Sequence, residues 1–257
     1  MVVWKERHHG CKVYAGGVGR GGGWHAGIVG DGQVVTLDVW RVPRTAVPGA
    51  LLRMAWLHRA LRRRRDVSFV KLLGTARGFG VAAADPLRWA ALTVWNAHAR
   101  PIEAFDRIAA AHVRLTLRPT VSRGRWAGRE PFTVEAPEGG GSESGRPVLV
   151  LTRARLRPTR AASFWRAIGP VAATLNDADG LLAAFGIGEA PIGFQGTVSI
   201  WAGGRQVNAF AYRTAEHAEV VRTTPVHRWY AEELFARLEV VEVAGVREVI
   251  GWSAERA

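Results

Sequence analysis

Short runs of apolar and β-branched residues recur along the chain, separated by segments with a longer period. Apolar or alternating runs of about four to eight residues are typical of β-strands. The pattern predicts eight strands, at residues 34–40, 67–73, 89–95, 113–117, 148–153, 181–187, 196–201 and 238–243.

Other segments repeat apolar residues every three or four positions, which is the spacing of one face of an α-helix. We expect Leu52, Trp56, Leu57 and Leu61 on one side of the first such segment, and Pro101 opens the second at a position where proline is tolerated. The predicted helices cover residues 49–64, 101–112, 161–175, 207–221 and 228–237.

The element order β-α-β-β-α-β occurs twice along the chain, and short motifs support the same register in both copies. Thr93-Val-Trp95 resembles Ser199-Ile-Trp201, and Ala104-Phe105 resembles Ala209-Phe210. One such unit has the ferredoxin-like order, with helices on one face of its sheet. Two units can bury their bare faces against each other, so we predict an α+β fold of tandem ferredoxin-like repeats that closes like a dimeric α+β barrel.

Glycine-rich stretches divide the chain around these two units. Residues 137–147 predict a linker, with the first repeat at 31–136 and the second at 148–257. Residues 1–30 predict a flexible glycine-rich leader. Its formal Gly-x-Gly-x-x-Gly match at 17–22 lacks the helix that a dinucleotide site needs.

The net charge of +13 raises the question of a polyanionic partner. The arginines are scattered, and their one run, Arg62 to Arg65, falls at the end of a predicted helix, where positive charge is expected. We therefore expect no nucleic-acid binding, whereas anionic lipid or an acidic electron-transfer protein stays open.

Cellular location has only weak signals in the sequence. No apolar run reaches the roughly 18 residues of a membrane span, and no signal-peptide core is present. Cys11 is the single cysteine, so an internal disulfide is excluded. We expect a cytoplasmic protein, with peripheral membrane contact as an alternative.

Two histidines occupy matching places in the two copies. His217 shares a predicted helix face with Phe210, Thr214 and Val221, and it follows Phe210 by seven residues, as His112 follows Phe105. Either imidazole could ligate iron or could be a core histidine bonded to backbone. The residues alone do not choose between them.

One carboxylate stands out from the apolar runs. Glu189 follows the glycine-containing strand end Phe185-Gly-Ile-Gly188, and strand ends are where sites are often built. Glu189 is therefore a candidate proton-relay group, although a solvated loop carboxylate fits the same position.

Several segments together resemble the spheroidene monooxygenase family, haem-containing oxygenases of carotenoid biosynthesis. Their order and spacing span most of the chain from Val34 to Val241. They are Phe69-Val-Lys-Leu-Leu-Gly-Thr-Ala-Arg-Gly-Phe79, Ser122-Arg-Gly-Arg-Trp-Ala-Gly-Arg-Glu-Pro-Phe132, Val150 to Pro158, Phe185-Gly-Ile-Gly-Glu-Ala-Pro191, Thr197-Val-Ser-Ile-Trp201, Glu216-His-Ala218 and Trp229 to Arg237.

The resemblance implies haem b, dioxygen, an electron donor such as ferredoxin, and oxygen insertion into an unactivated carbon of an apolar substrate. It also implies that His217, within Glu216-His-Ala218, is the iron ligand, with His227 in reserve. Aldoxime dehydratases and chlorite dismutases are similar in placing the ligand on a helix of the C-terminal half.

The same resemblance suggests roles for other residues. Lys71, Arg123 and Arg125 would pair with haem propionates, and Trp126 would wall the pocket. Glu189 and Gln195 would serve as catalytic residues. The chain departs from the family pattern around Ala76-Arg77 and Gly193 to Gln195, which bears on the substrate more than on the haem.

Three functions follow as hypotheses. The leading one is a haem-dependent monooxygenase acting on a carotenoid-like or other specialised metabolite. The second is a haem-dependent reaction other than oxygenation, such as aldoxime dehydration or a peroxide-driven oxidation. The third is a haem-free barrel that binds an apolar ligand. The oligomeric state stays open.

Overall fold

Eight antiparallel strands form one closed barrel in the computed structural model, which describes residues 33–77, 84–134, 145–156, 175, 178–189, 196–213 and 230–252. The strands are β1 (Val34–Arg41), β2 (Val67–Ala76), β3 (Ala84–Trp95), β4 (Ala111–Gly124), β5 (Val148–Leu156), β6 (Leu181–Gly188), β7 (Gly196–Trp201) and β8 (Tyr230–Gly245). Each predicted strand is confirmed, and β4 and β8 are much longer than the sequence indicated.

Helices cover the outside of this barrel. α1 (Val47–Arg62) follows a 3-10 turn at Arg44–Ala46, α2 (Glu103–Asp106) is a single turn, and α3 (Gly204–Arg213) follows β7. The predicted helix 49–64 is confirmed as α1, and 207–221 is confirmed over its described part. The predicted grouping of Leu52 and Trp56 with Leu61 on one side of α1 is wrong, because Leu61 is buried while Leu52 and Trp56 are exposed. The predicted helix 161–175 lies outside the described residues apart from its last position. No helix among the described residues is long and apolar enough to cross a membrane.

The predicted helix 101–112 is wrong beyond its first turns. α2 ends at Asp106, and β4 begins at Ala111, where it pairs with Arg41 of β1. Alanine favours a helix here, but pairing along the whole of β1 outweighs that weak local preference. His112 therefore lies on a strand, opposite Trp40.

The predicted helix 228–237 is also wrong, because residues from Tyr230 onward belong to β8. The Ala-Glu-Glu-Leu-Phe-Ala-Arg segment has helix-favouring residues, yet β8 pairs with β4 on one side and β5 on the other. Leu234, Ala236 and Leu238 enter the barrel, while Phe235 packs outside it. Apolar residues on both faces hide the two-residue period of the strand.

The barrel has an inner core and two outer layers. Strand alternation sends one set of side chains inward, as with Val35, Leu37 and Val39 of β1. The opposite set of the first four strands packs against α1 and α2, and that of the last four packs against α3. At one end of the barrel, a 3-10 helix (Arg247–Ile250) contributes Val249 and Ile250 to the inner core.

The strand order is the same in each half of the chain: β4-β1-β3-β2 in the first and β8-β5-β7-β6 in the second. The halves join at two seams, β2 with β6 and β4 with β8. The prediction of an α+β barrel is confirmed. The tandem repeat remains an inference, and the leader 1–30 and most of the linker 137–147 lie outside the described residues.

Candidate functional site

Five polar or aromatic side chains meet inside the barrel, at the end opposite the 3-10 helix. Strand alternation places Lys71 inward beside Phe69 and Leu73, and Arg153 inward beside Leu149 and Leu151. Glu189 continues the inward phase of β6, and Glu232 that of β8. We call this set the inner cluster; its members are Lys71, Trp126, Arg153, Glu189 and Glu232.

Glu189 accepts hydrogen bonds from three members of the inner cluster. Its Oε2 lies 2.5 Å from Lys71 Nζ, and its Oε1 lies 2.6 Å from Trp126 Nε1 and 3.0 Å from Arg153 Nη2. Lys71 belongs to the first half of the chain and Arg153 to the second. The carboxylate of Glu189 therefore ties the two halves together.

Glu232 extends the inner cluster to the loop after β4. It binds Arg153 Nη1 and accepts backbone hydrogen bonds from Ala127 (2.9 Å) and Gly128 (2.7 Å). Lys71 Nζ and Arg153 Cζ stand 5.8 and 5.6 Å from the centre of the Trp126 ring, in cation–π contact. Two cations, two anions and an indole thus bind one another.

Both carboxyls of the inner cluster are held ionised. Burial acts to raise the pKa of Glu189, but hydrogen bonds from Lys71 and Trp126, with the charges of Lys71 and Arg153, outweigh burial and lower the pKa. Burial also acts to raise the pKa of Glu232, but hydrogen bonds from Gly128, Ala127 and Arg153 outweigh it and lower the pKa. At neutral pH each carboxylate accepts hydrogen bonds and holds no proton to donate.

The structure brings together three of the predicted site residues, Lys71, Trp126 and Glu189, and adds two that the sequence analysis missed. Arg153 could have been found as a charge in the inward phase of an apolar strand, directly after Leu149 and Leu151. Glu232 could not, because its segment resembled a helix. Arg125 stays apart from the cluster, exposed and 3.4 Å from Glu130.

Arg123 occupies a different place. It is exposed near the end of β4, opposite Phe235 of β8. Phe235 packs on the outside of the barrel, and Val121, two residues before Arg123, packs there too. Arg123 therefore lies beside the outer face of the second half.

His112 has partners on the outside of the first half. Its ring stacks on Trp40 with centroids 5.2 Å apart, and its Nε2 lies 2.8 Å from Asp38 Oδ1. Arg114 Nε contacts the same Asp38 oxygen at 2.7 Å. These contacts give His112 a structural role in an ion-pair network.

The outer faces of the two halves differ in side-chain size. Trp40, Trp89 and Trp95 fill the outer face of the first half and pack under α1 and α2. The corresponding face of the second half has Val150, Leu181, Trp201 and Phe235 at some outward positions and small residues at seven others on β5, β6 and β7. The small residues are Thr152, Ala154, Ala184, Gly186, Gly188, Thr197 and Ser199.

Two hydroxyls on this second outer face stand out. Thr152 of β5 is directly opposite Thr197 of β7. The Oγ1 atom of each is buried and has no hydrogen-bond partner among the described residues. Buried polar atoms are normally paired, so these hydroxyls are available to a bound group; Trp89 Nε1 and Thr93 Oγ1 on the first outer face also lack a partner among the described residues.

α3 covers this same face. Val207 and Phe210 pack inward with Trp201 and Val150, which confirms the inward phase predicted at Phe210. His217, His227 and Gln195 lie outside the described residues. Within the described ranges, no three His, Cys, Asp or Glu side chains are grouped as a metal site requires.

A further carboxyl borders the second outer face. Glu233 lies between inward Glu232 and inward Leu234, so it shares the outward phase of Phe235. Burial raises its pKa. β4 passes close to the backbone of Glu233 at Gly124, which has φ +88°. A Cβ atom at Gly124 would collide with the Glu233 carbonyl oxygen.

The chain is similar to curated proteins and to solved structures. It is 30% identical over 223 residues to spheroidene monooxygenase of Rhodobacter capsulatus, covering 82% of this chain and 92% of that protein. It is 27% identical over 232 residues to spheroidene monooxygenase of Cereibacter sphaeroides, covering 83% and 68%. No protein-family model matches it.

Two solved structures of aldoxime dehydratase share the fold. One is 11% identical with a TM-score of 0.52, covering 85% of this chain and 86% of that one. The other, in complex with butyraldoxime, is 10% identical with a TM-score of 0.53, covering 85% and 84%. At such low identity the likeness concerns the fold alone.

Glu189→Gln is expected to destabilise the barrel by about 3 kcal/mol, because it leaves Lys71 and Arg153 facing a neutral partner in a largely buried site. Urea unfolding at neutral pH measures the loss. The control is Glu130→Gln, which removes a carboxylate that is 70% exposed in its pair with Arg125 and should cost less than about 1 kcal/mol. Equal losses of stability in both variants would contradict the role of Glu189 in holding the two halves together.

The difference in stability between wild type and Glu189→Gln should depend on pH. Because folding lowers the pKa of Glu189, its ionised form stabilises the barrel above its unfolded pKa of about 4.3, and this contribution is lost as the pH falls through the lower folded value. The unfolding free energies of the two proteins should therefore converge once the pH falls below the folded pKa of Glu189. A difference that stays constant across this range would contradict the prediction.

Proposed function

The chain belongs to the spheroidene monooxygenase family, and from this membership and the outer face of its second half we propose that it is a monooxygenase acting on a carotenoid-like apolar substrate. Both relatives are named for that activity, and the similarity to this chain covers 92% of one and 68% of the other. Dioxygen and an electron donor such as ferredoxin are the co-reactants this proposal requires.

The proposed cofactor is haem b, held against the outer face of the second half. The observation that carries this assignment is the set of small outward residues on this face, which has one tryptophan, Trp201, against three on the first half. Glycine, alanine and threonine let a flat group approach the sheet, whereas Trp40, Trp89 and Trp95 would exclude one from the matching face of the first half. The buried hydroxyls of Thr152 and Thr197, which have no partner among the described residues, could donate to a group bound there.

His217 is the proposed iron ligand. Val207 and Phe210 of α3 pack toward the second outer face. If the helical phase continues as the sequence indicates, His217 points the same way, seven residues after Phe210. His112 fits less well, because it lies on the first half, where its Nε2 is already hydrogen-bonded to Asp38.

Bound haem would supply the activation of dioxygen, and the chain would supply orientation, water exclusion and protons. Arg123, exposed beside this face, is the proposed partner of a propionate. Lys71, Trp126 and Glu189 instead close the barrel from inside, since they bind one another there. Gln195 is kept as a pocket residue on the strength of the family resemblance.

Glu233 is the proposed proton donor. It lies on the outward side of β8, and burial raises its pKa, so it keeps its proton to a higher pH than an ordinary glutamate. Glu189, which the sequence suggested for this role, faces the interior as an ionised carboxylate.

We also infer that the halves are tandem ferredoxin-like repeats. Each half places its strands in the same spatial order, and α1 and α3 cover the outer face of their own half. On this interpretation the first repeat keeps a filled outer face, while the second carries the cofactor.

Purified protein reconstituted with haem is expected to show a Soret absorption band, and His217→Ala should abolish or shift it. His227→Ala and His112→Ala are the controls and should leave the band in place. A colourless protein that is folded by circular dichroism would contradict haem binding. Product formed without dioxygen and reductant would favour a different haem reaction.

Thr197→Leu is expected to weaken haem binding about tenfold or more, because it places bulk on the face that the cofactor would contact. Haem titration followed by absorbance measures the affinity. Thr116→Leu is the matched control, since Thr116 is half-buried on β4 in the first half. If both variants bind haem as wild type does, the cofactor lies elsewhere.

Glu233→Gln is expected to lower kcat by about 100-fold, the usual contribution of a positioned proton donor. In wild type, activity should fall as the pH rises through the raised pKa of Glu233, because the protonated form is the active one. The variant should lose this alkaline limb while its haem spectrum is unchanged. An unaltered pH profile in the variant would rule Glu233 out as the donor.

A further inference from the structure

α1 carries apolar side chains on its solvent side as well as on its buried side. Leu51, Leu52 and Trp56 are 46, 67 and 54% exposed, and they make up half of the six large hydrophobic residues that are exposed in the described part of the chain. We define the α1 patch as these three residues with Ala55 and the arginines that follow: Leu51, Leu52, Ala55, Trp56, Arg59, Arg62 and Arg63.

The barrel does not account for the α1 patch. The opposite side of the helix, with Ala50, Leu57 and Leu61, already packs on the outer face of the first half. A helix needs one apolar side to join a core, so a second apolar side indicates another contact. Residues three and four apart are neighbours on a helix surface, so the exposed side chains of Leu52 and Trp56 adjoin and the patch is continuous.

The charge of the α1 patch indicates the chemistry of its partner. Arg59, Arg62 and Arg63 are exposed along the last turns of α1, and α1 contains no Asp or Glu. The exposed side of the helix is therefore apolar in its first half and cationic in its second. Its charge complements an anionic surface.

We propose that the α1 patch docks on the surface of an anionic lipid bilayer. Leu52 and Trp56 would enter the boundary between headgroups and acyl chains, where tryptophan is favoured, and the arginines would meet anionic headgroups. An acidic protein would account for the arginines, but two exposed leucines beside a tryptophan fit a lipid boundary better.

The position of α1 also suits delivery of an apolar substrate from a membrane, a point that rests on the proposed function. α1 packs on β2, and β2 pairs with β6 at the seam between the halves. β6 contributes Ala184, Gly186 and Gly188 to the second outer face. The α1 patch therefore flanks the face proposed to hold the cofactor.

The test is co-sedimentation of the full chain with phosphatidylcholine vesicles that do or do not contain phosphatidylglycerol. Wild type should bind the anionic vesicles, bind neutral ones more weakly, and be released by salt. Leu52→Glu should weaken binding to anionic vesicles about tenfold or more. Val246→Glu is the matched control, because Val246 is 45% exposed outside α1 and the charge change is the same.

Two outcomes would overturn the proposal: no binding of wild type to anionic vesicles, or an equal loss in Leu52→Glu and Val246→Glu. A double variant, Arg62→Gln with Arg63→Gln, keeps the apolar residues and should also bind more weakly, which guards against misfolding of Leu52→Glu. Vesicle binding needs no haem and no turnover. A colourless protein that still binds vesicles would therefore overturn the proposed function and leave the docking surface standing.

Discussion

Closure of the barrel at the seam between β2 and β6 is the constraint on which the rest of the structure depends. Only Gly74 to Ala76 of β2 pair with β6, and two of their partners are glycines, so side chains add little there. The ion pair between Lys71 and Glu189 lies just beyond these residues and prolongs the seam. A buried ion pair gives little net stability but a strong penalty when one partner is lost. The inner cluster therefore specifies how the two halves meet.

Closure leaves each half with one outer face, and the two faces differ in their number of tryptophans. Trp40, Trp89 and Trp95 on the first half form a buried layer under α1 and α2. Small residues on the second half carry buried hydroxyls without described partners at Thr152 and Thr197. A single sheet thus combines the tryptophan-filled face of the first half with the face proposed to hold the cofactor.

Much of the fold could be predicted from the sequence, because β-branched runs and the repeated element order are local signals. The segment 228–237 could not, since its residues favour a helix and only pairing with β4 and β5 makes it a strand. Lys71, Trp126 and Glu189 were found as site candidates, but their joint position inside the barrel depends on register across the seam. Arg153 could have been predicted from its inward position on β5. Glu232 could not, because its segment was predicted as a helix.

Alternating side chains on β5, β6 and β8 separate the inner cluster, which faces into the barrel, from the proposed cofactor face, which lies outside it. Thr152 faces the outer surface and Arg153 the inner cluster, although they are neighbours in sequence; Glu233 and Glu232 divide in the same way. A substitution at an outward position changes the proposed cofactor face without removing a partner from the inner cluster. Because closure depends on the inward residues, substitutions at Thr152 or Thr197 would leave the inner cluster and the barrel closure intact.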